Sequence, residues 1–114
     1  MRKHPEDSLQ TACVKWFRLQ YPNHLIHHSP NGGYRNIREA ARFKEMGTIS
    51  GFPDLFIPVE SKEYNGLFVE LKCGKNKPTN NQLTVMDRLR KEGYLCVVCY
   101  CFDEFKETVN NYLS

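Results

Sequence analysis

Three ionisable side chains in one short stretch carry the chemistry this sequence can offer: Asp54, directly after Pro53, and the pair Glu70 and Lys72, separated by Leu71. Asp54 stands at the mouth of an apolar run, Leu55-Phe56-Ile57, and the other two close a second run, Leu67 to Lys72. Residues two apart on a strand point to the same face, so Glu70 and Lys72 are expected side by side. The intervening segment, Glu60 to Gly66, holds Asn65-Gly66, a pair that favours the turn of an antiparallel hairpin. Two acids and one lysine then converge. Carboxylate oxygens are hard donors suited to Mg²⁺ or Mn²⁺, which keep several waters and are completed by substrate phosphates. The lysine adds a point charge beside an attacking water or a phosphate. The competing interpretation of these residues is a solvated hairpin with an ion pair.

The elements around the pair follow from periodicity. Residues 5 to 20 are expected as an amphipathic helix, with Pro5 in its first turn, Leu9, Ala12, Cys13, Trp16 and Phe17 on one face, and Tyr21-Pro22 as its stop. Glu6 lies at the N-terminal edge of that face, where a carboxylate is favoured by the helix dipole alone. His24 to His28 forms a short strand and Ser29 to Gly33 a turn. Asn36 to Met46 gives a second helix, apolar through Ile37, Ala40, Ala41 and Phe43, basic through Arg35, Arg38, Arg42 and Lys44, and capped by Gly47. Such a charge run is usually a wet face, and beside a phosphate site it equally suits a DNA backbone. A basic loop with Lys75 and Lys77 precedes a third helix, Thr79 to Glu92, opened by a Thr79/Gln82 capping box and ended by Gly93. Tyr94 to Phe102 is expected as a strand buried on both faces, and Asp103 to Leu113 as a closing helix.

Composition narrows the class. A chain of 114 residues without repeat, linker or low-complexity run is expected as one domain, 1–114. No stretch approaches the ~20 apolar residues of a membrane span, and the basic start lacks a signal-peptide core, so a soluble intracellular, cytoplasmic protein is expected. The five cysteines lack disulfide-framework spacing. Cys96, Cys99 and Cys101 are read as core packing, since strand positions three apart face opposite ways. His24, His27 and His28 have no cysteine pair at zinc-finger spacing, and are read as a solvated or nucleic-acid-facing cluster. The net charge of +3 does not by itself announce nucleic acid.

The order helix, strand, helix, two strands, helix, strand, helix describes an α/β fold with a small mixed sheet flanked by helices. With Pro53-Asp54 and Glu70-x-Lys72 it resembles the restriction-endonuclease-like core of the PD-(D/E)xK nucleases, and within them the VRR-NUC (virus-type replication-repair nuclease) family. The resemblance is carried by Glu6-x-x-Leu9-Gln10, Pro30-Asn31, Gly47, Gly51-x-Pro53-Asp54, Glu70-x-Lys72, Gln82 and Gly93-Tyr94, which together span nearly the whole chain.

The resemblance implies a metal-dependent endodeoxyribonuclease. Asp54 and Glu70 would hold Mg²⁺ or Mn²⁺, with the Leu71 carbonyl and Glu6 completing the shell, which turns Glu6 from a dipole carboxylate into a metal ligand. Lys72 and Gln82 would act on water and phosphate; Asn31, Arg35, Arg38, Arg42, Lys75 and Lys77 would meet nucleic acid. With those acids occupied by metal, the remaining surface is more basic than the net charge suggests. Short stand-alone members of the family resemble dimeric enzymes that cut junctions, implying a virus- or phage-type homodimer on branched DNA such as four-way (Holliday) junctions in repair. The residues leave open a flap- or RNA-cutting nuclease, and a non-catalytic nucleic-acid-binding module of the same fold.

Overall fold

The structure, a computed structural model, describes residues 5–29 and 37–114. Eight elements follow in the expected order: α1 (Pro5–Gln20), β1 (His27–His28), α2 (Ile37–Glu45), β2 (Leu55–Ile57), β3 (Leu67–Leu71), α3 (Asn80–Lys91), β4 (Leu95–Cys99) and α4 (Phe102–Leu113). The sheet order is β1-β2-β3-β4. β1 pairs β2 and β2 pairs β3 antiparallel, while β3 pairs β4 in parallel. A parallel partner requires a crossover, and α3 supplies it.

β3 is buried along its whole length, and its alternation divides the interior. Leu67, Val69 and Leu71 join Leu55 and Ile57 under α1 and α4, against Cys13, Phe17, Phe105, Val109 and Tyr112. Phe68 faces the other way with Met86 of α3 and Cys96, walled by Phe52, Phe56, Leu89, Tyr94 and Val98. Phe56 stacks on Phe68 at 4.3 Å between ring centroids. The period of two that sends Phe68 into the α3-side core therefore sends Glu70 to the same side, one pleat further along.

Several expectations change. Asn65-Gly66 does not form the hairpin turn. Lys62 and Glu63 do, with φ of 50° and 71°, inside a Ser61–Tyr64 bridge. Two consecutive left-handed residues are what a two-residue hairpin turn of the right twist demands. Asn65 instead docks the start of β3 on the end of α3: its N–H donates to the Gly93 carbonyl and its side-chain amide to the Glu92 carbonyl, each 2.8 Å. Gly66 is buried, and a Cβ there would lie 2.8 Å from the Phe56 ring, so the close approach needs glycine.

β1 is shorter than expected, and Ala12 is exposed on α1. The long terminal run is not one strand: β4 covers only Leu95–Cys99, an edge strand whose two faces pack into the two cores, and Phe102 opens α4, where it packs edge-on with Trp16. Cys96 and Cys99 are buried on opposite faces, while Cys101 is exposed at the helix cap. Arg90 donates to the Cys96 carbonyl and Glu104 accepts from the Tyr100 N–H, so side chains satisfy both ends of the edge strand. The largest departure is α2, which buries no residue: Ile37 is 90% exposed, and Ala40 and Ala41 are open too. Among the described residues, no helix is long and apolar enough to cross a membrane.

Candidate active site

Asp54 is fixed from two sides before β2 begins. Its Oδ2 accepts from the Leu71 N–H at 2.8 Å, tying it to the end of β3. Its carbonyl accepts from the Ser29 N–H at 3.0 Å and meets His28 Nδ1 at 3.1 Å, tying it to β1. A carbonyl can only accept, so that His28 nitrogen carries the proton. Pro53 is buried and holds the approach to the strand.

Glu70 and Lys72 emerge together on the α3 face, as the two-residue spacing requires. Glu70 is 3% and Lys72 8% exposed, and Lys72 Nζ lies 3.4 Å from Glu70 Oε2. Gln82 reaches the same oxygen from α3, its Nε2 donating at 3.2 Å. The capping box determines which end of that amide faces Glu70. Thr79 Oγ1 accepts from the Gln82 N–H and the Thr79 N–H donates to Gln82 Oε1 at 2.9 Å, so only the nitrogen end remains for the carboxylate.

The electrostatics are those of an overcharged acid pair. Burial pushes Glu70 up to about 8 and the neighbouring Asp54 charge adds to the rise, while Lys72 and its hydrogen bond pull the other way. Asp54 is also raised, first by burial and less by Glu6, against the lowering effects of the Leu71 N–H, Lys72 and His28. Two carboxylates facing one ammonium leave an uncompensated negative charge. This hard oxygen donor set, short of positive charge, fits a divalent cation.

Glu6 stands at the rim. Its Oε2 accepts from the Asn76 side-chain amide at 3.4 Å, in the loop after Lys72, and its charge raises both Asp54 and Glu70. Among the described residues no three His, Cys, Asp or Glu side chains group closely enough to hold a metal ion between them. The structure thus brings Asp54, Glu70, Lys72 and Gln82 together, with Glu6 alongside. The Leu71 side chain is in the core and its N–H is committed to Asp54, which leaves its carbonyl as the donor it can offer. Lys75 and Lys77 are exposed on the loop beyond Lys72, and Arg38 and Arg42 on α2. Asn31, Arg35, the Pro30–Gly33 turn and the expected helix start at Asn36 lie outside the described residues.

Sequence reasoning did not place His28, Asn76 or Asn81 at the site. Asn81 Nδ2 donates to Ser50 Oγ at 3.0 Å, in the loop leading to Asp54. Adjacent polar residues in the first turn of α3 were the available signal, but they read equally well as a solvated helix start.

Comparison with known proteins follows the same line. The VRR-NUC domain family profile matches residues 4–103. A solved structure titled as a VRR-NUC domain protein is 32% identical, superposes with a TM-score of 0.79, and is covered over 91% of its length by 99% of this chain. A second, titled VRR-NUC domain, shares the fold at 23% identity and a TM-score of 0.62, with 94% of this chain covering 96% of it. No curated protein sequence matches. With the profile spanning nearly all of the α/β core that carries Asp54, Glu70 and Lys72, the chain belongs to the VRR-NUC family of nuclease-type domains.

Proposed function

We propose that this protein is an Mg²⁺- or Mn²⁺-dependent endonuclease that hydrolyses DNA phosphodiester bonds and acts as a homodimer on branched DNA such as four-way junctions. The observation that carries the chemistry is the pairing of half-buried Asp54 with buried Glu70, for which one lysine supplies too little positive charge to keep both ionised. A bound divalent cation would supply the missing charge, acidify a water and offset charge on the phosphate. Asp54 and Glu70 would hold it, with the Leu71 carbonyl and Glu6 beside them. Leu71 N–H and Gln82 keep the two carboxylates aimed. Lys72, almost fully buried and 3.4 Å from Glu70, would hold its ammonium where negative charge grows on the phosphate. Lys75 and Lys77 extend the positive surface outward for neighbouring phosphates, with Arg38 and Arg42 on α2, and Asn31 and Arg35 by family resemblance.

The dimer rests on two arguments. One acid pair cuts one strand, and a twofold assembly would give a junction two sites in fixed relation. α2 also offers a face for such an assembly: Ile37, Ala40 and Ala41 share one side of the helix and are exposed. Arg38 and Glu45 lie on the same flank, seven residues apart, so an antiparallel twofold pairing near Ala41 sets Arg38 of each helix toward Glu45 of the other.

Labelled four-way, flapped and linear DNA, with RNA counterparts, incubated with Mg²⁺, Mn²⁺ or EDTA, tests the chemistry, and light scattering the mass. Metal-dependent paired cuts at the junction by a dimer are expected. A monomer that cuts flaps alone rejects the dimer, RNA-only cutting rejects the substrate, and binding without cutting makes the domain a nucleic-acid-binding module.

A further inference from the structure

Asp54 and Glu70 sit on different strands, so any cation held between them depends on how firmly those strands are set against each other. Glu70 is held from α3 through Gln82. The segment carrying Asp54 is held from the same helix turn by the residue before it. Ile49 to Phe52 forms a tight turn, its Phe52 N–H donating to the Ile49 carbonyl at 3.3 Å, with Gly51 at φ 83°. A Cβ on Gly51 would stand 2.8 Å from Asn81 Nδ2 and 3.2 Å from the Asn81 backbone carbon, so the turn lies directly on the start of α3. Asn81 fastens it there through Ser50 Oγ. Phe52 then enters the α3-side core against Phe68, Pro53 is buried, and Asp54 follows.

We propose that the first turn of α3 is a bracket that sets the separation of the two carboxylates, with Asn81, acting through Ser50, as the positioning residue for Asp54. The proposal rests on the metal-nuclease function given above. Asn81 and Ser50 are both exposed and reach the site only through the chain between them and Asp54. A surface hydrogen bond of this kind contributes little to folding. Its removal should loosen the cation site while the protein melts normally, which a purely structural staple would not do.

The test measures Mn²⁺ affinity by titration calorimetry and melting in EDTA for Ser50→Ala, Asn81→Ala, the double variant and Ser50→Thr. Each alanine variant is expected to bind Mn²⁺ severalfold more weakly, less than the roughly tenfold or more that losing a direct partner of a metal ligand costs, because the contact reaches Asp54 only through the chain. The double variant should fall no further than either single one, because both remove the same contact. Ser50→Thr retains the hydroxyl and should bind as the wild type does. In single-turnover cleavage the rate should drop with DNA affinity unchanged. Wild-type affinity in both single variants, or independent additive losses in the double variant, overturns the bracket alone. Wild-type protein that binds no Mn²⁺ overturns the metal-nuclease function and the bracket with it.

Discussion

Glu70→Gln in the metal-free protein tests the electrostatic core of the argument without any cleavage assay. Glu70 titrates at about 8 in the folded protein against an ordinary value of 4.5. Between those values the folded state holds a proton that the unfolded state has lost, so stability is full below the lower value and falls as pH rises through the upper one. From about pH 5.5 to about pH 7.5 the loss is on the order of 2 to 3 kcal/mol, at about 1.4 kcal/mol per pKa unit. For a domain of this size that lowers Tm by on the order of 10 °C. Asp54, raised in the same direction, steepens the fall. The amide of the Glu70→Gln variant has no such proton to lose. Only below about pH 4.5 is Glu70 neutral in both states, so at about pH 5.5 the wild type should already melt a little below the variant, and the gap should widen by on the order of 2 to 3 kcal/mol at about pH 7.5. Saturating Mn²⁺ should reverse the order, stabilising the wild type at the higher pH and leaving the variant nearly unmoved. Differential scanning calorimetry in EDTA and in Mn²⁺ at both pH values reads all of this. Equal pH slopes for the two proteins would refute the claim that Glu70 is a strained, buried acid.

Asp54→Ala should abolish cleavage while keeping the fold and most DNA affinity, and cutting at the wild-type rate in Mn²⁺ would remove it from the site. Lys72→Ala should lose cleavage but retain Mn²⁺ binding by calorimetry; loss of Mn²⁺ affinity alone would make its role structural. Glu6→Gln separates two roles: a dipole carboxylate costs about 0.3 to 1 kcal/mol of stability and no activity, whereas a ligand loses activity sharply with little change in Tm, and the second outcome is expected. Ala41→Asp, on the open face of α2, should turn a dimer into a monomer by light scattering without lowering Tm, since the side chain is exposed.

Element order and the Asp54, Glu70 and Lys72 cluster were legible because each rests on a local rule. The period of two on β3 placed Glu70 beside Lys72, and Thr79 with Gln82 announced the helix start that the structure shows as a complete capping box. The hairpin turn was misplaced by the same local reasoning. Asn65-Gly66 has the stronger intrinsic preference, yet the buried Gly66 must let Phe56 approach, and Asn65 is needed to close the end of α3. Tertiary contacts consumed the best turn pair and left the turn to Lys62-Glu63. The length of β4 failed for a related reason, since Phe102 is apolar in order to meet Trp16 as a helix residue.

α2 marks a different boundary of what a pattern can say. Its apolar side was legible as a side, because Ile37, Ala40 and Ala41 recur at helical spacing, but periodicity states that a face is apolar and not what covers it. In α1 and α4 the same pattern is answered within the chain by the sheet. In α2 only Phe43 is even half-buried, and Ile37 projects away from the described core. Burying such a face returns roughly 25 cal/mol per Å² of apolar surface removed from water, a gain that is not taken up among the described residues. A helix that carries Arg38 and Arg42 beside that face can serve assembly and the DNA path at once, since pairing two copies would also join their basic flanks across the twofold. In the proposed dimer, the helix face whose cover periodicity cannot name would be the one that sets a single acid pair against a two-strand substrate.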